Sequence, residues 1–231
     1  RVFGEYEMPY LHADAMTLDT ELVAKDPVKY SNVFQYCPSE VSYGYDAAEV
    51  LFNIPAAMGW QEPNKKLAVI RADYSYNVLA SDKFIELAKE KGYETVVDEV
   101  VQFGTVEWGP ILSKIAETQP AYVTFWILDP TDASRFIIQF KEKFGESGYN
   151  GLVYMQYTPN FPEFLTLSGD SANGVIWSTS VGVSSMRPNC SANRTCSSSV
   201  SFCPRRTSVS ETCIRPSRPS EPGHTGSPWK W

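Results

Sequence analysis

Between residues 67 and 178 the pattern of apolar and polar positions switches repeatedly, from short unbroken apolar runs to stretches in which apolar residues recur at helical spacing. Segments 67–71, 95–101, 121–128, 151–156 and 174–179 are rich in β-branched and aromatic residues and read as strands. The run 121–128 is the most apolar of them and predicts a central strand covered on both faces. Segments 79–91, 110–117 and 133–144 read as amphipathic helices. Their core stripes are Leu79, Phe84, Ile85, Leu87 and Ala88, then Ile111, Leu112 and Ile115, then Phe136, Ile137, Phe140 and Phe144. The punctuation agrees. Gly92 supplies a left-handed stop after the first helix, Gln119 with Pro120 ends the second, and Asp129 before Pro130 offers an N-cap for the third. A short helix at 161–168 precedes the last strand. Alternation of this kind predicts an α/β chain, a parallel sheet flanked by helices on both faces.

The flanks are less regular. Segment 46–59 reads as a helix that Pro55 kinks or restarts, and segments 12–17 and 32–39 read as irregular, site-facing stretches. Residues 1–60 supply at most the closing part of a βαβ unit, so an N-terminal portion is expected to precede Arg1. From Ser184 onward, 12 of 48 residues are Ser, 6 are Pro and 6 are Arg, with no Leu. Such a segment buries too little apolar surface to offset the entropy of ordering. The expected division is 1–62, a partial first lobe and crossover; 63–183, a near-complete second lobe; and 184–231, a disordered, non-native tail.

Composition narrows the function. The 231 residues are 43% hydrophobic, with a mean hydropathy of −0.26, and no run approaches the roughly 20 apolar residues of a membrane-spanning helix. Before residue 184 the chain holds 13 basic and 25 acidic residues, net −12; after it, 7 and 2, net +5. An acidic body argues against a nucleic-acid surface, which needs clustered Lys and Arg. Cys37 stands alone in the body, while Cys190, Cys196, Cys203 and Cys213 fall in the tail, so no disulfide framework is expected there. Asn193 to Thr195 matches a glycosylation sequon within the tail. No Gly-rich phosphate loop follows strand 67–71, no Gly-x-Ser-x-Gly elbow occurs, and no metal-ligand spacing joins His and Cys. His12 is the one body histidine, with a structural or ligand-facing reading. A non-catalytic protein without cofactor or metal is expected.

Ordered motifs carry a resemblance. Strand 67–71 is followed by Ala72, Asp73, Tyr74, Ser75, Tyr76 and Asn77, similar to an acid and Tyr-Gly pair opening a helix, with Asn where Gly is usual. Lys91-Gly92-Tyr93, Phe103-Gly104-Thr105, Gln119-Pro120-Ala121 and the stretch from Leu167 to Val175 follow in order, and Met8-Pro9-Tyr10-Leu11 and Tyr36-Cys37-Pro38-Ser39 lie upstream. The set, over residues 5 to 182, resembles type I periplasmic solute-binding proteins of the Leu/Ile/Val type.

That resemblance implies a solute held between two lobes and buried by hinge closure. It implies an extracytoplasmic substrate-binding component of an ABC importer for amino acids or similar small polar solutes, periplasmic or anchored outside the membrane, with an ABC permease as partner. Two alternatives stay open: a cytoplasmic amide or amino-acid sensor on the same scaffold, and a flavodoxin-like enzyme. Carried over by position, the ligand-binding candidates are Ala13, Asp14, Ala15 and Thr17 in the first lobe, and Tyr76, Leu128, Asp129, Gln156 and Tyr157 in the second. Tyr76 also reads as a surface aromatic over the next helix, and Asp129 as a turn residue before Pro130. Asp14, in a loop poor in hydroxyls, points to a cationic or hydroxylated ligand. Trp126 and Trp177 read as core. With half the cleft missing, the chain is expected to bind weakly by itself.

Overall fold

The computed structural model describes Tyr6 and residues 8–145, 148–178 and 200–202. Five apolar runs form parallel strands: β3 (Lys66–Ala72), β4 (Glu94–Val101), β5 (Tyr122–Trp126), β6 (Leu152–Gln156) and β7 (Val175–Ser178). Their order across the sheet is β4-β3-β5-β6-β7, with every pairing parallel. Strand β5 is buried at all five positions, as its unbroken apolar run predicts. A last strand, β8 (Val200–Phe202), pairs antiparallel with β7. The rest of the expected tail, residues 184–199 and 203–231, lies outside the described residues.

Helices cover both faces. On one lie α2 (Glu40–Ala57) and α3 (Ser75–Glu90), packed on Leu67, Val69, Tyr122, Trp126, Tyr154 and Ile176. On the other lie α4 (Gly109–Thr118), α5 (Pro130–Phe144) and α6 (Pro162–Ser168), packed on Ala68, Ile70, Val123, Phe125, Val153 and Val175. Alternate strand residues thus feed two separate cores, the expected consequence of the period-two pleat. The switch point lies between neighbouring strands β3 and β5, since helix α3 leaves β3 over one face and α5 leaves β5 over the other. Such a switch opens a crevice at the carboxyl ends of the strands.

The first helix departs from its expected stripe. Helix α3 begins at Ser75 and buries Asn77, Ala80, Ser81, Phe84 and Ala88, whereas Leu79 is 40% exposed. Small residues face inward because α2 lies so close that Gly44 meets the carbonyl of Ala80. Helix α2 also starts earlier than expected and runs through Pro55 without restarting: the proline sits in the last turn, and Met58 N donates to Ile54 O at 3.0 Å. Gly92 closes α3 at φ +82°, as its position predicts.

Upstream, β1 (Tyr10–His12) overlaps the motif Met8-Pro9-Tyr10-Leu11, and β2 (Val33–Gln35) lies in the stretch 32–39 expected to be irregular; the two pair in parallel, with helix α1 (Thr17–Lys25) between them. The brevity of β2 hid it: a three-residue strand leaves no periodicity to read. No helix among the described residues is long and apolar enough to cross a membrane.

Candidate functional site at the carboxyl edge of the sheet

Tyr76 is the second residue of α3 and half-buried, and its ring lies 5.6 Å from that of Tyr43 on α2. Gln156, the last residue of β6 and fully buried, donates from Nε2 to the Tyr76 hydroxyl at 3.0 Å. Burial, then the neighbouring Tyr43, pushes the Tyr76 phenol far above its ordinary range, so it stays a neutral hydroxyl with a proton to give. Beside Gln156 on the same sheet face, the Tyr154 and Ser178 hydroxyls share a 2.6 Å hydrogen bond. Tyr157 follows Gln156 with φ 61° and ψ −38°, an unfavourable backbone for a non-glycine residue that costs on the order of 1 kcal/mol. Its N–H donates to Ser178 O at 3.2 Å, and its ring meets Phe161 at 5.7 Å.

Asp129 uses its carboxylate locally. Oδ1 accepts from Thr131 N at 2.8 Å and Asp132 N at 2.9 Å, a cap on α5, while Leu128 beside it is half-buried. Removing the cap in Asp129→Ala is expected to lower stability by about 1 kcal/mol, read as a lower denaturation midpoint. A loss below 0.3 kcal/mol, on the order of a bare surface change, would rule the cap out as its main task. Asp132, the buried third residue of the helix, accepts from Gly104 N at 2.7 Å. Burial raises its carboxyl pKa, partly countered by that bond.

From the upstream portion, the loop after β1 reaches the same edge. Ala15 packs against the core that holds Tyr43 and Trp126, and Thr17 N donates to Glu40 Oε2 at 2.5 Å. Glu40, the first residue of α2, is only 2% exposed. Ala13 is exposed, its carbonyl taking the Cys37 thiol at 2.8 Å. Asp14 is exposed, with a carboxylate oxygen 3.9 Å from His12 Nδ1. Tyr76 and Gln156 are therefore in direct contact, and Ala15 joins the core beneath them. Ala13 and Asp14 face solvent, and Asp129 serves its own helix.

Sequence reading passed over Glu40, Tyr43, Asn77, Tyr154 and Ser178. Only Asn77 carried a signal, as an asparagine where glycine is usual. Trp126 and Trp177 are buried, as expected. Among the described residues no His, Cys, Asp and Glu group could hold a metal ion.

A cleft of about 540 Å³ lies at the opposite, amino edge, between Phe52, Trp60, Tyr93 and Tyr122. Its polar groups satisfy one another: Glu62 takes both Lys65 and the Tyr93 hydroxyl, and Lys65 Nζ lies 4.2 Å from the Tyr93 ring centre. Size alone would favour this hollow, but among the described residues no side chain lining it has a buried polar atom without a partner.

Comparison with known proteins agrees with this architecture. Residues 19–199 match the family model for periplasmic binding proteins, a span that passes residue 183. A solved structure from Silicibacter pomeroyi, described as a branched-chain amino acid ABC transporter, is 30% identical, with a TM-score of 0.73 over 78% of this chain and 45% of its own. A leucine binding protein from Thermotoga maritima shares the fold at 16% identity and a TM-score of 0.61, covering 78% of this chain and 47% of that one. So does a branched-chain amino acid ABC transporter protein from Thermus thermophilus with bound valine, at 18% identity and a TM-score of 0.59, covering 77% and 42%. Comparison with curated proteins gives no match. The chain spans less than half the length of these structures. With the parallel sheet, helices on both faces and a matching family model over most of its length, the chain belongs to the periplasmic binding protein family.

Proposed function

We propose that this chain is part of the extracytoplasmic solute-binding component of an ABC importer, taking amino acids or similar small polar solutes and handing them to a membrane permease. Residues 63–183 form its second lobe and residues 1–62 a part of the first with the crossover. One observation carries the reading. Every buried side-chain polar atom left without a partner among the described residues belongs to a strand's carboxyl end or to the segment that follows it: His12, Thr17, Gln35, Arg71, Asn77, Trp108, Gln156 and Trp177. Buried polar groups are normally paired, so a concentration of exceptions marks where a missing partner belongs. The carboxyl edge is also where open α/β sheets take ligands.

Tyr76 and Gln156 provide a hydroxyl proton and a free amide oxygen to a solute, and Asn77 a whole amide. Asp129, Leu128 and Tyr157 shape the neighbouring rim, and Ala13, Asp14, Ala15 and Thr17 approach from the first-lobe side. With one lobe incomplete, titration of L-leucine or L-valine into the chain is expected to give millimolar rather than micromolar affinity. The backbone amide resonances of Tyr76, Gln156 and Ser178 are expected to shift, and Gln156→Ala to weaken the response about tenfold, the effect of one lost hydrogen bond to a buried group. If none of the twenty amino acids moves those resonances, the reading is wrong.

A further inference from the structure

Asn77 stands next to Tyr76 in the first turn of α3, and its side chain is fully buried. Both amide atoms, Nδ2 and Oδ1, lack a partner among the described residues. Gln156 repeats half of this pattern, with Nε2 committed to Tyr76 and Oε1 unpartnered. The two amides belong to the same side of the sheet. Asn77 shares the inward stripe of α3 with Ala80 and Phe84, and Gln156 follows Tyr154 by two residues, so each faces the core beneath α2 and α3. Tyr76, half-buried and held by a single hydrogen bond, joins them and is the side chain an arriving solute meets first.

The charges nearby limit what that solute can be. Arg71, at the end of β3, is engaged by Asp82 and Asp98, the latter at 2.9 Å. Glu40 is buried and takes the Thr17 N–H. A carboxylate arriving here would therefore find Arg71 already neutralised, and it has no proton to offer Asn77 Oδ1 or Gln156 Oε1. A primary carboxamide has both kinds of group side by side.

Resting on the solute-binding reading above, we propose that Asn77 is a specificity-determining residue that selects a solute bearing a neutral primary carboxamide. The solute carbonyl accepts from Asn77 Nδ2 while its N–H donates to Asn77 Oδ1, and Gln156 Oε1 is a further acceptor at the same edge. A glycine at position 77 would offer neither contact.

Propionamide and propionate are near-isosteric and separate the two chemistries. Each is titrated at equal concentration and pH 7 into the full ¹⁵N-labelled chain, following the side-chain NH₂ resonances of Asn77 and Gln156 and the backbone amides of Tyr76 and Ser178. The expected result is a saturating shift at the Asn77 NH₂ with propionamide and at least tenfold weaker response with propionate. Asn77→Ala should abolish that preference while leaving the thermal midpoint unchanged or higher, because it removes two unpaired buried groups. Equal responses to the two probes would overturn the proposal. So would an Asn77 NH₂ in contact with a buried water that propionamide does not displace, or a lowered midpoint in Asn77→Ala, which would reveal a structural partner. Shifts at Tyr76 and Ser178 without one at Asn77 sink the carboxamide assignment and leave the solute site standing. Silence at all four residues, with amino acids as well as with these probes, sinks both.

Discussion

Replacing Trp126 with alanine is expected to lower the folding free energy by about 4 kcal/mol, the range for deleting a large aromatic from a packed core. Trp126 ends β5, has no exposed surface, and packs against Phe84 of α3 at 5.5 Å and Tyr154 of β6 at 5.8 Å. Its indole N–H donates to Thr124 Oγ1 at 3.0 Å, and that hydroxyl donates to Ala68 O on the neighbouring strand at 3.1 Å. The side chain therefore ties two strands and a helix at the carboxyl edge of the sheet. Since whole domains are stable by only about 5–15 kcal/mol, the variant should lose a large share of its stability, visible as a shifted urea midpoint at unchanged slope. Trp126→Phe keeps most of the ring and should lose less than half as much. A loss below about 2 kcal/mol in the alanine variant, short of the usual range for a core aromatic, would mean that the two cores are less tightly packed than their burial indicates.

The same residue illustrates what could be read from the chain alone. An unbroken apolar run such as 121–128 has few ways to be hidden other than as a central strand, so β5 and its parallel neighbours were legible, and with them the layered fold. The first turns of the α3 stripe were not. Phe84, Ile85, Leu87 and Ala88 pack on the core as their spacing predicts, but hydrophobicity also favoured Leu79, where the close approach of α2 turns Ala80 and Ser81 inward instead, and that demand comes from a neighbour distant in sequence. The three-residue strand β2 escaped for another reason, since pairing rather than periodicity defines it.

The site divides along the same line. Tyr76 and Gln156 were legible as positions at strand ends, because topology fixes where the carboxyl edge must be. Their hydrogen bond was not, as it joins residues 80 positions apart. Asp129 shows the opposite limit: the Asp-Pro pattern fits a ligand contact and an N-cap equally well, and only the two N–H bonds to Oδ1 show how the carboxylate is used. Glu40 gave no signal, for an acid in a helix's first turn is ordinary and nothing local announces its burial.

Gly44→Leu is expected to destabilise the protein by about 3 kcal/mol, at the upper end of the usual range for overpacking, even though glycine inside a helix is otherwise unfavourable by about 1 kcal/mol relative to alanine. A Cβ on residue 44 would stand 2.4 Å from Ala80 O and 2.9 Å from Phe84 N. Both are backbone atoms of α3 and cannot rotate away, so the two helices must move apart. The clash outweighs the propensity gain. Separation would also reach the site, because Tyr43 on α2 and Tyr76 on α3 meet across this seam one turn away. Gly44→Leu should therefore lower the denaturation midpoint and shift the resonances of Tyr76 and Gln156 before any solute is added. Glu49→Ala, on the exposed side of α2, provides the comparison and should change stability by no more than about 0.5 kcal/mol. If Gly44→Leu proves as stable as the parent, the helices are not in the contact described, and the edge that carries Tyr76 is not fixed by α2.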